Sequence, residues 1–165
     1  MSQIDIIRAG GWDVWSLSRL YRACFSSGAQ SWLRQIRLLL GSDILVLKAL
    51  AAGELVGMVA LHPHRLRGRA VIFSLGVSPA WRKRGVGECL MRACELHAEL
   101  PYLRLQVRAG NLPAIQLYHK LGYTVVKVLP RYFGNGDDAY VMEKKRAVGG
   151  AAFATRREDS SVPAG

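Results

Sequence analysis

The sequence predicts a layered α/β (α+β) domain, on three observations. Strand-length apolar runs and runs of helical period follow one another in the order β-α-α-β-β-β-α-β-α-β-β. Helices interleaved with the later strands imply a mixed sheet with covered faces. Glycine or proline stands where each helix must stop, at Gly28, Gly41, Pro101 and Gly122. Lastly, the apolar run Val71–Val77 leads through a basic, glycine-bearing turn, Arg82-Lys83-Arg84-Gly85-Val86-Gly87, directly into a helix.

Ile4–Arg8 alternates as a short first strand. Trp12–Phe25 carries Val14, Trp15, Leu17, Leu20, Tyr21 and Cys24 at helical spacing, and Ser26-Ser27-Gly28 breaks it. A second helical run covers Gln30–Leu40. Ile44–Ala49 and Leu55–His62 read as a hairpin around Ala52-Gly53-Glu54, with Pro63 ending the second strand. Arg65, Arg67 and Arg69 recur at period two, on one side of an extended segment near a turn at Gly68; the expected role is a solvated hairpin tip. After the central strand Val71–Val77, a helix over Gly85–Leu100 turns Val86, Leu90, Ala93 or Cys94, Leu96 and Leu100 inward. Tyr102–Arg108 is a strand. Asn111–Leu121 is a helix with Asn111 as N-cap and Pro113 in its first turn. Tyr123–Leu129 and Ala139–Lys144 are the last strands, joined by a loop holding Gly134-Asn135-Gly136. Ala147–Gly165 is rich in small and polar residues and reads as a disordered tail, so the folded domain is expected over residues 1–146.

The chain has 165 residues, enough for one domain with a sizeable core. Its formal net charge of +11 favours anionic partners, among them a phosphorylated cofactor, acidic peptides or nucleic acid. Three cysteines, Cys24, Cys89 and Cys94, without a CxxC pair, argue for a reducing compartment and against a disulfide scaffold or zinc site. The amino-terminal residues show no signal-peptide pattern, and the most apolar stretch, Ile44–Ala52, is too short to span a bilayer and contains Lys48. A cytoplasmic protein with no membrane partner is expected.

The strand–turn–helix is a shape for holding phosphates. The first N–H groups of a helix lack intrahelical partners and carry the positive end of its dipole, and glycine lets an anion come close. A merely polar turn that happens to be basic is the bland alternative.

Two longer segments narrow it. Leu75-Gly-Val-Ser-Pro-Ala-Trp-Arg-Lys-Arg-Gly-Val-Gly contains R-x-x-G-x-G, and the stretch from Leu105 to Tyr123 contains N-x-x-A-x-x-L-Y-x-x-L-G-Y. In order and spacing they resemble the GNAT N-acetyltransferase superfamily. Arg131-Tyr-Phe-Gly-Asn-Gly-Asp-Asp-Ala-Tyr-Val-Met is similar to the Y-Y-x-x-G-E-D-A-x-x-M ending of its N-terminal acetyltransferases, including the ribosomal-protein-alanine type. Phe133 replaces the second Tyr and Asp137 the Glu. The resemblance covers roughly residues 4–145.

The resemblance implies a GNAT fold with about seven strands and about four helices, and acetyl-CoA as acetyl donor. It implies that the N–H groups of Arg82, Lys83, Arg84, Gly85, Val86, Gly87 and Glu88 receive the pyrophosphate. The backbone of Leu75, Gly76 and Val77 would pair with the pantetheine arm, and the Val77 N–H would polarise the thioester carbonyl. Asn111 would contact the same arm, and Tyr118 would be the general acid for the departing thiolate. For Asn111 and Tyr118 a plain N-cap and a packed aromatic are the structural alternatives. Phe25, Tyr132 and Phe133 would line the acceptor site, together with the Phe25–Trp32 loop.

The base is where this chain departs from the pattern. Gln106 stands where the alanine-type relatives carry Glu, and an amide accepts no proton at neutral pH. Three explanations stay open: Gln106 positions substrate or water; another base serves, with His62 ranked before His64 and His119; or the protein turns over weakly or not at all. His62-Pro63-His64 offers two imidazoles without a third ligand, so no metal is expected. An α-amine of pKa about 7.8 is roughly 15% neutral at pH 7, against about 0.04% for a lysine near 10.4. A missing base is thus better tolerated at a protein or peptide N-terminus, the expected acceptor. Rivals are an acetyltransferase for a small amine and a non-catalytic acyl-CoA-binding or basic RNA-associated module. A ribosomal or acidic partner suits the charge; nucleic acid is not required.

Overall fold

The computed structural model describes residues 3–25 and 43–146. The expected helix over Gln30–Leu40 and the tail over Ala147–Gly165 lie outside these residues.

The described chain forms β1 (Ile4–Arg8), α1 (Val14–Cys24), β2 (Leu45–Ala51), β3 (Glu54–His64), β4 (Arg69–Val77), α2 (Val86–His97), β5 (Tyr102–Arg108), α3 (Leu112–Lys120), β6 (Thr124–Leu129) and β7 (Ala139–Lys145). The strands make one seven-stranded sheet in the order β1-β2-β3-β4-β5-β7-β6. Every neighbouring pair is antiparallel except β4 and β5. These two are joined through α2, the connection a parallel pair requires.

β3 is buried on both faces. Met58 and Ala60 pack with Val46 and with Leu17, Leu20 and Tyr21 of α1. Val59 and Leu61 face the larger core, which holds Val86, Leu90, Met91 and Cys94 of α2 and Ile115, Tyr118 and Leu121 around α3. Each fully buried Leu or Met contributes roughly 1.5–3 kcal/mol relative to exposure. Gly57 lets α2 lie close on the sheet: a Cβ there would stand 2.8 Å from Leu90 Cδ1, 3.0 Å from Val86 Cγ1 and 3.2 Å from the Gly76 carbonyl.

Some expected details change. Leu96 is exposed and Met91 takes a core position instead; six residues beyond Leu90, Leu96 comes about 120° round the helix from it. Trp15, two residues before Leu17, lies about 160° round α1 and is also exposed. β3 continues through Pro63 to His64, with Pro63 beside Ala70. Arg65–Arg67 form a single 3-10 turn closed by Gly68 at φ +59°, not an extended row.

The central irregularity lies between β3 and β4. Ala60 pairs with Ser74 and Leu61 with Ile72, so Phe73 is an extra residue in β4. Such a bulge bends its strand. β4 pairs with β5 only from Arg69–Tyr102 to Ile72–Leu105. Beyond that point β4 pairs only with β3, and Gln106–Arg108 only with β7.

Candidate active site

The two parallel strands therefore part at their carboxyl ends. Phe73–Val77 on one side and Gln106–Arg108 on the other leave a wedge with unpaired inner edges. Its β4 wall is Leu75, Gly76 and Val77, paired on the outer side to Val59, Met58 and Gly57. Gly76 is covered from the α1 side: a Cβ there would lie 3.3 Å from Cys24 Sγ and 3.3 Å from the Phe25 ring. Phe25 itself stacks at 4.5 Å on Tyr21. Burial pushes the Cys24 thiol up, against the lowering effect of the nearby Arg82.

Below the wedge the chain turns through Pro79–Trp81 and the basic segment into α2. Lys83 (φ +59°) and Gly85 (φ +81°) are both left-handed, a backbone shape that turns consecutive N–H groups toward one concave point. At Gly85 a Cβ would meet nothing within 4 Å, so conformation and open approach set the glycine there. The first intrahelical bond runs from the Cys89 N–H to the Gly85 carbonyl at 3.0 Å. The N–H groups of Val86, Gly87 and Glu88 come before it and have no carbonyl one turn back within the helix. Gly87 lies close against α3: a Cβ there would stand 3.3 Å from Leu117 Cδ2, a tight contact, and 3.7 Å from Val77 Cγ2, an ordinary one.

The three basic side chains differ. Arg82 Nε donates to the Val77 carbonyl at 3.3 Å, and the Arg84 guanidinium lies over the Trp81 ring at 5.1 Å. Lys83 makes no ion pair among the described residues. Glu88 offers only its backbone, because its carboxylate binds Lys120 (2.6 Å) and Arg92 (2.9 Å). Lys120 first and Arg92 second hold it below the usual carboxylate range.

A family model described as the Acetyltransferase (GNAT) family matches residues 14–123. The chain belongs to the GNAT acetyltransferase family. It is 40% identical over 75 residues to the N-alpha-acetyltransferase of Sulfurisphaera tokodaii, covering 43% of this chain and 45% of that one. The chain spans about half the length of the curated relatives it matches, 45%, 53% and 46% in three cases. The crystal structure of the Escherichia coli ribosomal-protein-S18-alanine N-acetyltransferase superposes with a TM-score of 0.80 at 20% identity, over 90% of this chain and 97% of that one. Arabidopsis thaliana NAA60 in complex with acetyl-CoA does so at 0.74 and 21% identity, over 87% and 98%. At these identities the two structures establish the fold: the GNAT fold, with a seven-stranded mixed sheet.

On this GNAT scaffold α3 packs under the start of α2 through Leu117, and Tyr118 follows it. Asn111 caps α3, its Oδ1 accepting the Ala114 N–H at 3.3 Å. Tyr118 is buried at 7% exposure and lies edge-on to Tyr123 at 6.0 Å. Its hydroxyl has no hydrogen-bond partner among the described residues. Burial pushes this phenol up to about 12.

The other wall of the wedge carries Gln106, whose Oε1 accepts a hydrogen bond from the Tyr132 hydroxyl at 2.8 Å. The loop bearing Tyr132 and Phe133 is gathered around Arg108, a residue the sequence analysis did not single out. Its Nη1 donates to Asn135 Oδ1 (2.8 Å) and Asp137 Oδ2 (2.7 Å), and its guanidinium lies 4.0 Å over the Phe133 ring. Asn135 first and Arg108 second hold Asp137 below the usual carboxylate range. Asp138 accepts the Arg131 N–H at 2.8 Å. No spacing rule points to Arg108, since its partners are 25 or more residues away and meet it only through the β5–β7 pairing.

The histidines lie elsewhere. His62 pairs with Val71, two residues before the wedge opens at Phe73 and six before Val77, which at 3.3 Å per residue is about 7 Å from Phe73 and about 20 Å from Val77. β3 runs antiparallel to β4, so its carboxyl end, with His62, lies beside the start of β4 and away from the Val77 end of the wedge. His64 lies still farther away, opposite Arg69. His119 is bound at Nδ1 to the Tyr123 carbonyl, 3.1 Å, at the end of α3. Among the described residues no group of three or more His, Cys, Asp or Glu could hold a metal, and no helix is long and apolar enough to cross a membrane.

Proposed function

We propose that this GNAT protein transfers the acetyl group of acetyl-CoA to the N-terminal α-amine of a protein or peptide. The observation that carries the reading is the wedge opened at Phe73 directly above the left-handed turn at Lys83 and Gly85. An unpaired strand edge beside a cluster of inward N–H groups fits an extended amide-bearing arm ending in a pyrophosphate. The acetyl-CoA named in the Arabidopsis structure and the N-alpha-acetyltransferase name of the archaeal relative support the donor and the acceptor class.

In this reading Leu75, Gly76 and Val77 pair with the pantetheine arm, and the Val77 N–H is aimed at the thioester carbonyl, where charge builds during attack. A neutral amine nitrogen forms the N–C bond as the C–S bond breaks. The thiolate takes its proton from Tyr118, and the proton lost by the new amide nitrogen restores the phenol through water. Burial suits Tyr118 to this: the phenol stays protonated through the working pH range, and the desolvation that raises it also raises the proton affinity of the departing thiolate.

Gln106 holds no proton in this scheme. Its carbonyl is engaged by Tyr132, which leaves its NH2 to donate to the acceptor or to a water. An α-amine is neutral often enough at pH 7 to react without a strong base, whereas a lysine is not. Tyr132, Phe133 and Phe25 then border the first residues of the acceptor. The test is incubation with acetyl-CoA and a peptide library varied at the first two positions, read by mass spectrometry. Acetylation at the α-amine is expected; modification confined to lysine side chains or to small polyamines would overturn the acceptor assignment.

A further inference from the structure

Beside the start of β4, about 20 Å along the strand from Val77, lies a second cavity of about 650 Å³, lined by Arg8, Asp43, His62, His64, Arg65 and Arg67 among others. Its charge comes from two parts of the chain brought together by the fold: Arg8 at the end of β1, and the continuous stretch of His62 and His64 at the end of β3 with Arg65 and Arg67 in the 3-10 turn after it.

This charge is poorly neutralised. Among the described residues Arg8, Arg67 and the neighbouring Arg69 make no ion pair. Arg65 reaches Glu99 only at 3.5 Å, with both side chains more than 70% exposed, so that pair contributes little. Asp43 is the one carboxylate among the lining residues. Arg69, which stands opposite His64 on β4, adds a further positive charge behind the cavity.

The histidines add ring nitrogens to the cavity wall. His62 Nδ1 and His64 Nε2 lie 3.0 Å apart, so one of these two nitrogens accepts from the other. Burial first, and then the charges of His62, Arg67 and Arg69, hold His64 below its ordinary value. An anion among Arg8, Arg65 and Arg67 would offset that repulsion.

We infer that this cavity is a second anion site, separate from the acetyl-CoA turn, that binds a small polyphosphate, free or carried on a nucleoside. The volume is that of a small-molecule site, and several arginines from separate elements suit phosphate oxygens in particular. A longer nucleic acid would need a basic track beyond the cavity.

The test is calorimetric titration of inorganic tripolyphosphate and of ATP into the protein, with ring-proton NMR of His62 and His64. Three proteins are compared: wild type, Arg8→Ala/Arg67→Ala at the cavity, and Lys83→Ala/Arg84→Ala at the turn. Both probes should bind with displaced His62 and His64 signals, more tightly at pH 6 than at pH 8. The cavity variant should lose tenfold or more in affinity with acetyl transfer unchanged, while the turn variant keeps the affinity. ATP tighter than tripolyphosphate by tenfold or more identifies a nucleoside polyphosphate as the ligand; equal affinities identify the polyphosphate alone. The inference is overturned by no binding at millimolar concentration, by unmoved histidine signals, or by a cavity variant within threefold of wild type. A short single-stranded RNA that displaces both probes at lower concentration would replace the small ligand by nucleic acid.

Discussion

The phenolic hydroxyl of Tyr132 donates to Oε1 of Gln106 at 2.8 Å, tying the loop between β6 and β7 to the open end of β5. The two residues are 26 apart in sequence, and each borders the wedge from its own element. A carboxylate at position 106 could accept the same hydrogen bond and in addition take a proton from an amine or a water. Gln106→Glu is therefore expected to keep or raise kcat/KM for a peptide acceptor, most visibly below pH 7. A large loss, measured in the same peptide assay, would show that the amide NH2 of Gln106 has a positioning role of its own.

Tyr118→Phe removes one oxygen from a buried, well-packed ring. The fold should survive, and kcat should fall by about 10²-fold or more, the usual contribution of a positioned acid. Because burial holds the phenol protonated up to about 12, the pH–rate profile should rise with deprotonation of the acceptor amine and show no descending limb from Tyr118 below that value. Steady-state rates equal to wild type, with an unchanged circular dichroism spectrum, would remove Tyr118 from the chemistry.

Arg108→Ala takes away the centre on which the 131–138 loop is gathered. Peptide KM should rise roughly threefold to tenfold, in keeping with the loss of one cation–π contact and one exposed ion pair. Affinity for acetyl-CoA, measured by calorimetry, should be unchanged. The pH dependence has a definite sign. Asp137 is held below the ordinary carboxylate range, so its contribution to loop order is complete above that range and is lost only as the pH falls through the lowered value. Amide exchange of residues 132–137 should thus be as slow at pH 5.5 as at pH 7 in wild type, and faster at both in the variant.

Gly57→Ala puts a methyl group where α2 meets the sheet. Leu90 Cδ1 can move aside, but the Gly76 carbonyl at 3.2 Å belongs to a paired strand. The substitution should cost about 1–3 kcal/mol, measured by urea unfolding. Because Gly76 belongs to the wedge, weaker acetyl-CoA binding should accompany it. An unchanged unfolding midpoint would show that α2 can shift freely.

Much of the wedge's lower half was legible from local pattern alone. A turn with Gly85 and Gly87, an N-cap at Asn111, and Tyr118 seven residues further on are written in consecutive residues, because helix starts, caps and left-handed turns depend on nearest neighbours. The family follows from the same segments. The order of strands and helices was legible too, since apolar periodicity reports which face each element buries. What local pattern did not carry was the position of long strands relative to one another. The antiparallel β3–β4 register, and no local signal, puts His62 beside Val71. Leu96 and Trp15 are apolar and within their helices, yet only the packing of α1 and α2 on the sheet decided that they stay outside.

The amino-acid sequence by itself determined the basic, glycine-bearing turn, the capped helix behind it and membership of the GNAT family, because each rests on patterns within a dozen or so residues. The tertiary structure decided where β4 parts from β5, that Arg108 gathers the Phe133–Asp137 loop, that Tyr132 takes hold of Gln106, and that a second basic cavity forms where β1, β3 and the turn after it converge. Those relationships join residues up to about 60 positions apart, and they depend on strand register and on the irregularities in it, the bulge at Phe73 among them, which no local pattern encodes.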